Sequence, residues 1–113
     1  MINRNLNKYL KKVSEEVSGS SSYPSGGFTV TVGKLKKIVR ARVKYIGNGE
    51  YIAQVITPKQ DATLGNNQVK IFVRNNIEQA VDEGGTATYT IGGEVASGTD
   101  LSGETFLVEA EGY

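Results

Sequence analysis

The sequence predicts a mainly β fold: an antiparallel β-sandwich, immunoglobulin-like or a reduced jelly roll in outline, preceded by an N-terminal amphipathic α-helix. Three observations carry this. Short runs rich in Val, Ile, Thr, Tyr and Phe alternate apolar with polar residues, the period of a half-buried strand. Gly- and Asn-rich turns separate about six or seven such runs at roughly ten-residue spacing, as in sandwiches and small barrels. No helical pattern falls between the strands, which excludes a parallel sheet built from crossover helices.

The chain divides into three parts. Residues 1–18 read as a helical arm. Leu6, Leu10, Val13 and Val17 recur at spacings that make one apolar stripe on a helix. Lys8, Lys11, Lys12, Glu15 and Glu16 fall on the other side, and Gly19 stands where a helix cap belongs. Residues 19–27, GSSSYPSGG, read as a linker, small and polar with no periodicity. Tyr23 is the one residue in it with the means to dock. Residues 28–113 read as the β-sandwich domain.

Within that domain the organising stretch is Val39 to Ile56, VRARVKYIGNGEYIAQVI. Val39, Ala41, Val43 and Tyr45 alternate with Arg40, Arg42 and Lys44. Gly47-Asn48-Gly49 supplies the positive φ angles of a tight connection, so the expectation is a hairpin with its two arms side by side. Phe28–Val32 is a strand before it. Pro58–Asn67 is a loop by composition, and Gln68–Arg74 alternates again. Ile77–Glu83 fits a helical turn or an edge strand. Thr86–Ile91 and Glu104–Ala110 read as strands, with a short piece at Glu94–Ala96 between them. The expected core face is Val39, Ala41, Val43, Val69, Ile71, Val73, Phe106 and Val108.

Composition excludes several chemistries. The chain has no cysteine and no histidine. Disulfides, thiolate nucleophiles, the usual zinc sites and the commonest general base are therefore absent. Mean hydropathy is −0.30, and no apolar run reaches the roughly 18 residues of a membrane span. The start, MINRNLNKYLKK, lacks the apolar centre of a signal peptide, and the absence of cysteine fits a chain made in a reducing cytosol. Glu94, Asp100 and Glu104 are the acids available for paired-carboxylate chemistry, but their spacing singles none out. Asp100 with Glu104, or Asp82 with Glu83, lacks the pattern of a calcium loop. Gly93–Gly98 has the glycine spacing of a phosphate loop without the Lys-Ser/Thr that must follow. No catalytic, cofactor or metal site is expected, and no enzyme.

Charge is uneven although the net is +1. Lys34, Lys36, Lys37, Arg40, Arg42 and Lys44 cluster, whereas every charged residue from Ile77 on is acidic. Two readings follow. Basic and acidic strands lie side by side in one sheet, or the basic patch meets an acidic neighbour or a nucleic acid.

The segments Gly26–Leu35, GGFTVTVGKL, and Gly98–Gly103, GTDLSG, followed by ETFLVEAEGY, give the chain a further character. In these it resembles small structural proteins of tailed phages and archaeal tailed viruses. The resemblance implies capsid decoration or a head or tail accessory role, in a virion, after synthesis in the host cytoplasm. It implies self-association, a trimer among the candidate states, and a major capsid or tail protein as partner, with no membrane and no cofactor. The residues expected to make those contacts are Leu6, Leu10, Val13 and Val17 on the arm, and Arg40, Arg42 and Lys44 on the basic strand. Two other classes stand beside it. A carbohydrate- or surface-binding module needs solvent-facing aromatics, with Tyr23, Tyr45, Tyr51 and Tyr89 as candidates. A nucleic-acid-binding β-protein needs the basic strand interleaved with Tyr45 and Tyr51.

Overall fold

The computed structural model describes residues 10–81, 83–85 and 87–113. Among them are eight strands: β1 Lys11–Ser18, β2 Phe28–Thr31, β3 Ile38–Ile46, β4 Tyr51–Ile56, β5 Gln68–Asn75, β6 Ile77–Val81, β7 Ala87–Ile91 and β8 Thr105–Gly112. Six of them build two antiparallel three-stranded sheets, in the orders β1-β8-β3 and β2-β5-β4. The sheets pack face to face as a β-sandwich. β6 and β7 pair with each other as a separate hairpin. No helix long and apolar enough to cross a membrane occurs among the described residues.

The two central strands supply the core. Val69, Ile71 and Val73 of β5 and Phe106, Val108 and Ala110 of β8 are buried, with polar or half-exposed residues between them. That is the period-two pattern of a sheet wet on one side. Phe28 of β2 meets Phe106 of β8 edge-on at 5.6 Å, joining the layers. The ends are closed from loops by Tyr23, Val32, Leu35, Val95 and Leu101, all buried.

Five sequence expectations need correction. The helical arm is a strand where the structure describes it: Lys11–Ser18 pairs with β8 along its whole length. A spacing of four puts Val13 and Val17 on one face of a strand as well as of a helix. Glu15, on that same face, broke the alternation that marks a strand. A lone helix of this length is marginal in water, whereas the strand completes a ladder and covers the core with Val13 and Val17. Leu6 lies outside the described residues.

The hairpin over Val39–Ile56 is also not formed. β3 bonds to β8 and β4 bonds to β5, so residues 47–50 cross from one sheet to the other. The arms meet through side chains: the Tyr45 and Tyr51 rings stand at 85° with centroids 5.4 Å apart. Gly49 has φ 83°, and a Cβ at Gly47 would collide with the Tyr45 ring, so both glycines serve this crossing.

Val39 is not in the core. A bulge between Ile38 and Arg40 leaves it 49% exposed and turns Ile38 inward in its place. Residues 19–27 are not a free linker either. Tyr23 is fully buried, its N–H donates to Thr99 O, and Gly19 N–H donates to Glu104 O. The expected piece at Glu94–Ala96 is a single bridge, Glu94 to Arg74.

Candidate functional site

The outer face of the first sheet gathers most of the predicted interaction residues. Register sets Arg40 opposite Glu111 and Arg42 opposite Glu109. Arg40 Nε lies 3.2 Å from Glu111, and Arg42 Nε 3.3 Å from Glu109. On the far side of β8, Lys12 is the register partner of Glu111. An open groove of about 430 Å³ runs over Glu109 and Glu111 between the flanking strands. Glu111 and Glu109 of β8 thus pair with Arg40 and Arg42 within one sheet, as the side-by-side reading expects. Both arginine side chains stay largely exposed, so these pairs hold register more than they add stability. Lys44 faces Leu107 and makes no ion pair among the described residues.

The described arm residues are engaged within the chain. Val13 and Val17 pack against the domain's own core. Leu10 is half-buried beside Lys12, Arg40 and Glu111. The described part of the stripe is therefore covered within the chain.

Two phenol–carboxylate pairs lock the loops. Tyr23 Oη donates to Glu94 Oε2 at 2.9 Å and accepts from Val73 N–H at 3.1 Å. Gly26 N–H donates to the same Glu94 oxygen at 2.6 Å. Burial, with Glu94 beside it, pushes the Tyr23 phenol up to about 12 against the pull of the Val73 bond. At the other end, Tyr45 Oη donates to Glu104 Oε2 at 2.7 Å. That bond, then burial, raises Tyr45 to about 12. The third acid of interest, Asp100, accepts from Ser102 N–H and Oγ, which lowers its carboxyl. Each acid considered for paired-carboxylate chemistry thus has a structural bond.

A pH dependence follows. The phenols ionise near 10 in the unfolded chain and near 12 when folded. The folded state retains protons over that interval, so their contribution is complete below about pH 10 and lost as pH rises towards 12. Denaturant midpoints measured from pH 8 to 12 are expected to fall above pH 10. Tyr23→Phe is expected to flatten that fall, and to cost about 1–3 kcal/mol at neutral pH by leaving Val73 N–H without its partner. An unchanged midpoint at pH 7 would show that water replaces the phenol.

The geometry also bears on the aromatics. Tyr23 is buried, and Tyr45 and Tyr51 are half-buried, turned between the sheets and away from Arg40 and Arg42. The side chain of Tyr89 lies outside the described ones. Neither a sugar-stacking platform nor a basic–aromatic stripe is assembled from the first three. No group of three or more metal-ligating side chains occurs among the described residues; Asp82 lies outside them.

Two features escaped the sequence. Glu94 bonds residues 68 positions or more away, a pairing no local pattern signals. The edge of β4 that no described strand covers is hidden in the sequence, because Tyr51–Ile56 reads there as the partner of β3. Its lack of any charge was the visible signal. No family model, curated protein or solved structure matches this chain.

Proposed function

We propose that this chain is a non-enzymatic structural protein of a virion, a capsid decoration or head or tail accessory piece, built on a reduced jelly roll. The observation that carries the reading is the strand order. Numbering only the six sandwich strands, the last lies between the first and third, and the fifth between the second and fourth. That interleaving supports a reduced jelly roll: it matches the order left when a jelly roll loses one edge strand from each sheet. Jelly rolls recur in viral capsid and lectin domains. The link from fold to role is analogy, joined here to the resemblance of the Gly26–Leu35 and Gly98–Tyr113 segments. The structural commitments of Glu94, Asp100 and Glu104 support a role without catalysis. Self-association and a capsid or tail partner belong to the same reading, with the charged outer face of the first sheet and a sheet edge as contact surfaces.

The test is composition. The chain is expected to co-sediment with gradient-purified virus particles from its source culture, in amounts stoichiometric with a capsid or tail protein. Confinement to the soluble cell fraction overturns the reading.

A further inference from the structure

We infer that the free edge of β4 is a homodimer interface, at which two copies of this chain pair antiparallel about a two-fold axis through Gln54. The inference rests on the reading of the chain as a self-assembling structural unit, and it names the edge, the partner and the register.

The sandwich has four edge strands, β1, β3, β2 and β4. Three carry the devices that keep edges from pairing. β1 bears Lys11, Lys12, Glu15 and Glu16, with Glu15 on its core-facing side. β3 is bulged at Val39 and carries Arg40, Arg42 and Lys44. β2 has only four residues. β4, YIAQVI, has no charge, no proline and an unbroken register with β5.

The direction of its free backbone groups follows from one bond. Asn76 N–H donates to Glu50 O at 3.0 Å, so position 50 turns its backbone towards β5. Alternation then turns 52, 54 and 56 the same way, and turns Tyr51, Ala53 and Val55 outward. No described strand is bonded along that outward side.

Self-complementarity selects a second copy as the occupant. An antiparallel partner must set core-facing residues opposite core-facing ones. With Gln54 on the axis, Ala53 lies opposite the second copy's Val55, and Ile52 opposite its Ile56. Both pairs are apolar, and Ala53 and Val55 are the residues whose N–H and C=O groups face outward. With Ala53 on the axis, Ile52 would oppose Gln54 instead. The chosen register also has matching ends. Glu50 comes opposite the second copy's Pro58, beside its Lys59, and both charged residues are exposed. Opposite charges meet at each end, and Thr57, whose N–H donates to Gln60 Oε1 and whose C=O accepts from Gln60 and Asp61 N–H, ends the pairing.

Three variants test the register in the full chain. Gln54 is exposed, so its replacement leaves the core intact. Sedimentation velocity is expected to give twice 12.2 kDa for the wild type. Gln54→Lys and Gln54→Glu are each expected to raise the dimer Kd at least tenfold, and their equimolar mixture to restore the dimer. In the otherwise cysteine-free chain, Gln54→Cys is expected to form a disulfide dimer on mild oxidation. The axial pair is a non-hydrogen-bonded one, with Cα atoms about 4.5 Å apart, within disulfide reach. A monomeric wild type, or a dimer indifferent to both charged variants, overturns the inference. A monomer that still co-sediments with particles overturns the β4 pairing alone. A β4 dimer absent from particles overturns the virion reading alone.

Discussion

Ile71→Asp is expected to abolish folding. Ile71 sits at the centre of β5, fully buried, with Phe28 and Val55 as its register partners on either side. A carboxylate there is cut off from solvent, with apolar register partners on both sides. Its burial costs several kcal/mol, against a total stability of roughly 5–15 kcal/mol for a domain. Far-UV circular dichroism should show no cooperative melt. Val43→Asp is the graded control. Val43 is only half-buried, on edge strand β3, so an acid there can reach solvent and the melt should survive at a lower temperature. A melt retained at the wild-type temperature in Ile71→Asp would mean that β5 is paired one residue out of register.

Deleting residues 1–27 is expected to cost the whole sandwich. On the sequence reading, this cut leaves an intact domain. In the structure it removes β1, uncovers one side of β8, and takes Tyr23 out of the core. Val13 and Val17 no longer cover Ala110 and Phe106, their register partners. Val73 N–H and Glu94 lose the Tyr23 hydroxyl. Deleting only residues 1–9 keeps all eight strands and is expected to keep the melt. The pair of truncations, compared by circular dichroism and thermal unfolding, separates a free arm from a structural strand. A folded 28–113 fragment would restore the three-part division of the chain.

What was legible in the sequence was the facing of residues, and what was not was their neighbours. QVKIFVR and ETFLVEA alternate cleanly, so Val69, Ile71, Val73, Phe106 and Val108 were placed inward, and all five are buried. Alternation is silent on which strand lies alongside. The apolar faces of β3 and β4 look the same whether the strands share a sheet or face across a sandwich, so the Gly-Asn-Gly connection was read as a hairpin. β1 was obscured by one inward charge, Glu15, which left only the valine spacing common to both structures. Val39 was lost to a bulge, which shifts a pattern by one residue without altering composition. For the candidate surface, the basic strand and its acidic counterweight were visible as sequence blocks. Their contact depends on β3 and β8 being neighbours, a matter of topology.

The place of β8 has a consequence for how the chain is made. Among the described residues, β8 is the last of the eight strands in sequence, and β1 and β3 both bond to it. During synthesis the second sheet has all its strands once Asn75 has emerged, whereas the first has two outer strands and no centre. Pairing over such long separations is slow, because loop closure must precede any contact that rewards it. β1 and β3 therefore have no native ladder partner among the described strands until β8 is made. The lysines, arginines and glutamates they carry repel or solvate them during that wait, so the charges that line the finished outer face also guard the nascent chain against mispairing.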